Sequence, residues 1–299
     1  MTSTKEVSQH QPILVGTWLQ RIEQLREFHL PIIQKRSEEP VEPDHYVVCD
    51  NITLQEYLDY DRTDLKELLW FHNGEVLIYE LSRISPIHEV INTWTFSRFV
   101  LQLPEESYDG TGSMTQVLGQ SGAQADSSIT PSGRPRPVPE GGLSANGTFP
   151  FPTVIIEVGV SQTVASLHQK AKRYLSNTTD IQVVVCIKIF PPKSDDGTFK
   201  ALALLYRRSV STQTPVQVIS FGTIPFDLPM VYIIQGLGPT TGNTLAVNTP
   251  PTVPNDPLYL LRIPLADIYN GDANGVPGNP VDVIIDLFHL MTKIATNWV

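Results

Sequence analysis

The spacing of apolar residues along the chain predicts an alternation of helices and strands. Apolar side chains recur at helical spacing in some segments, while short continuous or alternating apolar runs bounded by Gly, Pro and Asn indicate strands. The predicted helices cover 13–34, 54–61, 63–70, 87–101, 161–176 and 281–298. The predicted strands cover 75–80, short pieces within 109–130, and 153–158, 181–190, 199–208, 216–220, 230–234 and 258–263.

The segment TVIIEV over 153–158 indicates the fold class. A continuous apolar run of this kind is typical of a central strand that is buried on both faces. A strongly amphipathic helix and a strand hairpin follow it. We therefore expect an α/β fold with α+β character, in which helices flank both faces of a small mixed central sheet. Residues 1–62 are interpreted as an N-terminal helical extension, 63–210 as the core, and 211–299 as a C-terminal strand and helix extension that packs on the core.

Composition and charge narrow the function classes. The chain has 299 residues, of which 41% are apolar, so it can bury a sizeable core, and only 17% are charged, which excludes a coiled coil. The net charge is −10. Residues 1–110 hold 9 Lys and Arg against 19 Asp and Glu, whereas residues 111–299 hold 12 of each. A broad basic surface for nucleic acid is therefore excluded, and any nucleic-acid contact must be local.

Cysteine usage and hydropathy bear on the compartment. Two cysteines, Cys49 and Cys186, cannot build a disulfide framework or a cysteine zinc site, and we expect both to be buried. The N-terminus lacks the basic and apolar regions of a secretory signal, and no apolar run reaches membrane-spanning length. We expect an intracellular protein of the cytosol or nucleus that does not interact with a membrane.

Acidic residues at predicted strand ends carry the candidate chemistry. The chain presents Glu75 on a strand, then a helix, Asp126, the central strand with Glu157 and a helix with Lys170. Carboxylates on adjacent strands can share a divalent cation, because Mg²⁺ prefers oxygen ligands. A nearby lysine can orient or help to deprotonate a water and can balance phosphate charge.

Five short segments together resemble the PD-(D/E)XK nuclease superfamily. Within it, the chain is most similar to the widespread bacterial family named "putative restriction endonuclease" and its fungal relatives. The resemblance covers about residues 65–208. Its segments, in chain order, are NGE at 73–75, PIH at 86–88, ADSSI at 125–129, PTVIIEVGVSQT at 152–163 and LHQKAKRY at 167–174.

The resemblance implies a restriction-endonuclease-like fold and a role for each matching residue. Asp126 and Glu157 would hold Mg²⁺ or Mn²⁺, and the backbone carbonyl of Val158 would add a ligand. Glu75 would complete an acidic cluster. The motif places a lysine two residues after the second acid, where this chain has Gly159. Lys170, on the following helix, would stand in for that lysine.

Three further residues are candidates for contacting substrate. Gln162 follows the end of the central strand, and Arg134 and Arg136 lie in a Pro-, Gly- and Ser-rich loop over 131–150. Exposed arginines in such a loop can contact phosphate, and the alternative is that both are solvated loop charges.

Two functions remain open at this point. The first is a Mg²⁺-dependent hydrolase that cleaves DNA phosphodiester bonds with a metal-activated water. The second is a catalytically degenerate nuclease fold that serves as a binding or assembly module. The glycine at 159 and the acidic charge favour the second function. The ordered acids favour the first, because carboxylates without a cation repel one another. The oligomeric state stays open, with a homodimer among the options.

Overall fold

Three β-sheets and the helices packed on them make up the described chain. The computed structural model describes residues 18, 20–25, 27, 45–58, 69–78, 85–112, 114–118, 121–135, 149–190, 197–226, 237, 250–278 and 282–297. The strands are β1 (Tyr46–Cys49), β2 (Leu69–His72), β3 (Glu75–Ile78), β4 (Tyr108–Thr111), β5 (Thr115–Leu118), β6 (Ser121–Gln124), β7 (Ser127–Pro131), β8 (Val154–Gly159), β9 (Val183–Phe190), β10 (Lys200–Arg207), β11 (Gln217–Ser220), β12 (Leu260–Ile263) and β13 (Val283–Asp286). The helices are α1 (Leu54–Leu58), α2 (Pro86–Val100), α3 (Val164–Tyr174), α4 (Leu265–Ile268) and α5 (Leu287–Asn297).

The central sheet is mixed and has the strand order β11-β10-β9-β8-β7-β4. Strands β8 and β9 are parallel and are connected through α3, whereas the other described pairs of this sheet are antiparallel. A second, antiparallel sheet has the order β1-β3-β2-β6-β5, and β12 and β13 form a separate ribbon. We call the second sheet the N-terminal sheet. The chain passes from it into the central sheet twice, between β3 and β4 and again between β6 and β7.

Helices cover both faces of the central sheet. On one face, α2, α5 and the β12–β13 ribbon share a hydrophobic core with β8, β9 and β10. On the other face, α3 packs on the same strands, together with apolar side chains of the N-terminal sheet. This double coverage explains why β8 and β9 are buried along their whole length and are apolar except at Glu157 and Lys188. The predicted α/β class, with a mixed central sheet flanked by helices on both faces, is confirmed.

Most predicted elements are present within a few residues of the expected bounds. The described residues of the segment 13–34 are helical. The Asn73-Gly74 turn joins β2 to β3, and both residues have positive φ, as a tight hairpin turn requires. Cys49 and Cys186 are buried free cysteines, as expected. The strand predicted at 230–234 lies outside the described residues.

Two helix predictions are wrong in part. Residues 69–70, predicted as the end of a helix, begin β2, which pairs with β3 and β6. Residues 283–286, predicted as the first turn of the C-terminal helix, form β13, which pairs with β12 in full register. In both cases a short apolar run fits either element, and pairing with a distant strand decides the outcome.

The hydropathy of the helices bears on membrane association. No helix in the described part of the chain combines the length and the apolar character that crossing a bilayer would need.

Candidate functional site

Asp126 and Glu157 lie side by side where the chain enters the central sheet. Ser127 of β7 pairs with Ile156 of β8, so Asp126, one residue earlier, falls next to Glu157. The backbone N–H of Val158 donates to Asp126 Oδ2 at 2.6 Å. The pairing of β7 with β8 therefore brings together two carboxylates that are far apart in sequence.

The first turn of α2 fixes Asp126 from the opposite side. Ser85 caps this helix and accepts a hydrogen bond from the backbone N–H of His88. The His88 ring is buried, and its Nε2 lies 3.2 Å from Asp126 Oδ2. One turn later, the Asn92 amide donates to the backbone carbonyl of Asp126 and accepts from the Ser127 hydroxyl.

Helix α3 supplies two partners to Glu157. Lys170 Nζ donates to Oε2 at 3.0 Å, and the Tyr174 hydroxyl donates to Oε1 at 2.7 Å. Residues four apart lie on one face of a helix, so both side chains reach the same carboxylate. The Glu157 side chain is 1% exposed. Burying a carboxylate this deeply requires both a charge partner and hydrogen bonds.

The two carboxylates have opposite electrostatic shifts. Burial raises the pKa of Glu157 to about 7, and the Asp126 charge adds to that effect, while Lys170 and Tyr174 oppose it only in part. Burial would also raise the pKa of Asp126, but His88, Lys170 and the hydrogen bond from Val158 outweigh it and hold that pKa below its usual value. Asp126 is therefore the carboxylate that holds its negative charge more firmly.

The packing of α3 explains why residue 159 is a glycine. A Cβ atom at Gly159 would lie 2.9 Å from Leu167 Cδ1 and 3.3 Å from Gln162 Cβ. Leu167 thus fills the space from which a side chain at 159 would start. Lys170, nearly one turn further along the same helix, brings its ammonium group to Glu157 instead.

The oxygen atoms at this point suit a hard divalent cation. Asp126 and Glu157 are hard oxygen donors on adjacent strands, which is the donor type that Mg²⁺ and Mn²⁺ take. Among the described residues, the hydrogen bond and the ion pair of the Asp126 carboxylate both involve Oδ2 rather than Oδ1. The Asp126 side chain is 12% exposed. Among the described residues, no group of three or more His, Cys, Asp or Glu side chains is placed to hold a metal ion. The fit therefore rests on two carboxylates together with backbone oxygen.

The structure does not bring Glu75 to this site. Glu75 begins β3 of the N-terminal sheet, where it lies opposite His72. Burial and the Arg173 charge lower the pKa of that ring, and the Glu75 charge opposes them only in part. No contact joins it to Asp126 or Glu157 in the part of the chain that the structure describes. The expected acidic cluster of three is thus a pair here.

The candidate substrate residues lie elsewhere or are already engaged. Arg134 was expected in an exposed loop, but its side chain is only 8% exposed and its Nη2 lies 3.6 Å from Asp180. That expectation is wrong, because the turn after β7 folds back against neighbouring segments. Gln162 is buried and donates to the Ser166 hydroxyl at 2.6 Å. Arg136 lies outside the described residues.

Sequence reasoning missed several residues of this site. The sequence places His88 in the PIH segment and Tyr174 in the LHQKAKRY segment, but it indicates no role for either residue. The four-residue spacing of Lys170 and Tyr174 was a signal that could have identified the pair. Lys188 was also missed. It lies beside Gly159 in the register of β8 and β9, is buried, and donates to the Val160 carbonyl at 2.7 Å.

Comparisons with known proteins find a distant match among solved structures. No protein-family model and no curated protein matches the chain. Among solved structures, the chain is similar to the crystal structure of a "putative nuclease belonging to DUF820" from Anabaena variabilis ATCC 29413. The TM-score is 0.40 at 17% sequence identity, and the match covers 60% of this chain and 90% of that chain.

Proposed function

We propose that this chain is a divalent-metal-dependent nuclease that hydrolyses DNA phosphodiester bonds with a metal-activated water. The observation that carries the proposal is the meeting of Asp126, Glu157 and Lys170 at the junction of β7, β8 and α3. Two adjacent carboxylates and an ammonium group are what metal-assisted phosphoryl hydrolysis requires of a protein.

Each residue has a distinct task in this proposal. Asp126, Glu157 and the backbone carbonyl of Val158 would hold Mg²⁺ or Mn²⁺, and the bound metal would polarise a water and a phosphate oxygen. Lys170 would balance the negative charge that develops on the phosphate. His88 and Tyr174 would keep the two carboxylates in position, because each contacts one of them directly.

A second function is favoured by the contacts of Glu157. Both of its oxygens already accept hydrogen bonds, from Lys170 and Tyr174. An ion pair that satisfies the carboxylate so fully would also suit a catalytically degenerate fold that acts as a binding or assembly module.

Metal binding followed by cleavage separates the two functions. We would titrate Mn²⁺ and Mg²⁺ into the wild type, Glu157→Gln and Asp126→Asn by calorimetry, with Glu105→Gln as control. Glu105 is an exposed acid. We expect binding by the wild type and the control and loss of binding in the two site variants, with circular dichroism confirming that all four proteins are folded. Cleavage of supercoiled plasmid by the same proteins then tests hydrolysis.

Three outcomes decide the proposal. Metal-dependent cleavage that both site variants lose supports the nuclease. Metal binding without cleavage overturns the nuclease proposal, and so does the absence of metal binding by the folded wild type. Either result leaves the second function, a binding or assembly module.

A further inference from the structure

A basic cleft lies on the outer side of α3, near the candidate site. Its volume is about 470 Å³, and it is enclosed by the C-terminal half of α3 with the turn that follows, and by the turn after β10. The charged and amide side chains that line it are Gln169, Lys172, Arg173, Asn177, Arg208 and Gln213. We call this feature the basic cleft.

The lining of the basic cleft selects for anions. It holds three positive charges, and no carboxylate is among the described residues that line it. Amide and hydroxyl groups complete the lining, and such groups donate hydrogen bonds to phosphate oxygens. The charged neighbour outside the lining is Asp180, which lies 3.6 Å from Arg134 and also interacts with Arg208.

Arg208 is held in place before any ligand arrives. Its Nε donates to the Ile181 carbonyl at 2.6 Å, and its Nη2 donates to the Ser176 carbonyl and the Thr179 hydroxyl at 3.0 and 2.8 Å. Nη1 takes no part in these bonds. A guanidinium that is already fixed loses less conformational entropy when it binds an anion.

One aromatic ring links the basic cleft to the candidate site. The Trp70 ring centroid lies 5.3 Å from Lys170 Nζ and 5.4 Å from Arg173 Cζ. Lys170 contacts Glu157, and Arg173 lines the cleft. The two cations are separated by less than one turn of α3. The basic cleft therefore lies within one helical turn of the lysine at the candidate site.

We propose that the basic cleft binds the phosphate backbone of a nucleic acid. As an account of how substrate is held, this inference rests on the proposed function, but the binding itself needs no metal. No aromatic side chain is among the described residues that line the cleft, so it offers no surface for base stacking. Binding is therefore independent of base sequence and strongly dependent on salt.

The test is DNA binding by the full chain in EDTA, measured by fluorescence anisotropy with a labelled oligonucleotide of about 20 nucleotides. We compare the wild type with Lys172→Glu and with Lys293→Glu. Lys172 is half-exposed and makes no hydrogen bond or ion pair among the described residues, and circular dichroism of both variants checks that the fold is kept. Lys293 is exposed on α5, on the other face of the central sheet, and its substitution makes the same change in net charge.

We expect Lys172→Glu to weaken DNA binding roughly tenfold and to reduce the slope of log affinity against log salt by about one or more. Lys293→Glu should stay within about twofold of the wild type. Equal effects of the two variants, or no effect of Lys172→Glu, would overturn the cleft as the binding site. Inorganic phosphate is then added as a competitor, with chloride of equal ionic strength as the control. If phosphate displaces the DNA and chloride does not, the cleft is assigned to a small phosphate ligand and the nucleic-acid assignment is overturned.

The outcomes also separate this inference from the proposed function. DNA binding that Lys172→Glu weakens, in a protein that binds no metal at Glu157, keeps the basic cleft and removes the nuclease. If the wild type shows metal-dependent cleavage and Lys172→Glu leaves the DNA affinity unchanged, the nuclease is kept and the basic cleft is removed as the binding site.

Discussion

Glu157 is a buried carboxylate whose protonation depends on its neighbours. Burial and the charge of Asp126 favour the neutral acid, whereas Lys170 and the Tyr174 hydroxyl favour the carboxylate. The balance leaves the pKa at about 7, against an ordinary value of 4.5. At neutral pH this residue is therefore close to the midpoint between its two forms, and a bound cation would shift it to the carboxylate.

This shift predicts how stability depends on pH in the metal-free protein. Between pH 4.5 and about 7 the folded state holds a proton on Glu157 that the unfolded chain releases, so the free energy of unfolding falls as the pH rises. We expect Glu157→Gln to lack this fall. The measurement is urea unfolding in EDTA at several values between about pH 5 and about pH 8.

The titration of His168 also makes stability depend on pH. The effect of Glu157 is therefore the difference between the curves of the wild type and Glu157→Gln. Burial lowers the pKa of His168 from 6.5 to about 4, so the contribution of His168 to stability rises between about pH 4 and pH 6.5. It is present in both proteins and cancels in the difference. Parallel curves for the wild type and Glu157→Gln would show that the pKa of Glu157 is not raised.

At the scale of the element, helix α3 supplies the positive charge beside Glu157, because β8 has a glycine at position 159. Its Leu167 occupies the space beside Gly159, and its Lys170 and Tyr174 reach Glu157. Thr163 begins the helix by accepting a hydrogen bond from the backbone N–H of Ser166 at 3.0 Å. The position of the ammonium group therefore depends on how this one helix starts and packs.

A lysine at 159 should not replace Lys170. We expect Gly159→Lys to lower the free energy of unfolding by about 1–3 kcal/mol, because its Cβ would collide with Leu167. In the Lys170→Ala background it should restore no metal-dependent cleavage. Gly112→Lys is the control, since a Cβ at Gly112 meets nothing within 4 Å. A stable double variant with restored cleavage would refute the packing argument.

The cap of α3 gives a second prediction at this scale. Thr163→Ala removes the oxygen that accepts from Ser166, and we expect a loss of about 1 kcal/mol in the free energy of unfolding. Thr163→Ser keeps that oxygen and should cost less. Urea unfolding of the three proteins checks the order, and equal losses in Ala and Ser would assign the effect to the Thr163 methyl group instead.

At the scale of the whole molecule, distant segments share one core. Residues of β12, β13 and α5 pack with those of α2, β8, β9 and β10 in a single hydrophobic cluster. The Gln102 side chain, just after α2, also bonds the backbone N–H and carbonyl of Ile284 in β13. We therefore expect the described core and its C-terminal part to unfold together.

Leu290→Ala tests that cooperativity. Leu290 is fully buried in this cluster, and its truncation should lower the free energy of unfolding by about 2–5 kcal/mol. Leu258→Ala, at a residue that is 59% exposed, should change it by no more than about 0.5 kcal/mol. Circular dichroism and tryptophan fluorescence should report a single shifted transition. Two separate transitions would show that residues 211–299 unfold independently of the core.

Several features could be predicted from sequence because they depend on residues close together in the chain. Apolar periodicity predicted the strands on both sides of α3, and an Asn-Gly pair such as that at 73–74 is typical of a tight turn. The segment around Glu157 was singled out because an acid in a buried strand needs a partner. The order of Asp126, Glu157 and Lys170 was available from the sequence, although their contacts were not.

The sequence by itself determined the mixed class of the fold, the order of its main elements and the two carboxylates that meet. Only the tertiary structure decided that Glu75 lies in a separate sheet, that Arg134 is buried and that Tyr174 contacts Glu157. It also decided that Leu167 crowds the position from which a side chain at 159 would start. The physical reason is that periodicity and turn chemistry act over a few neighbouring residues, whereas strand pairing and side-chain packing join residues that are far apart in the chain.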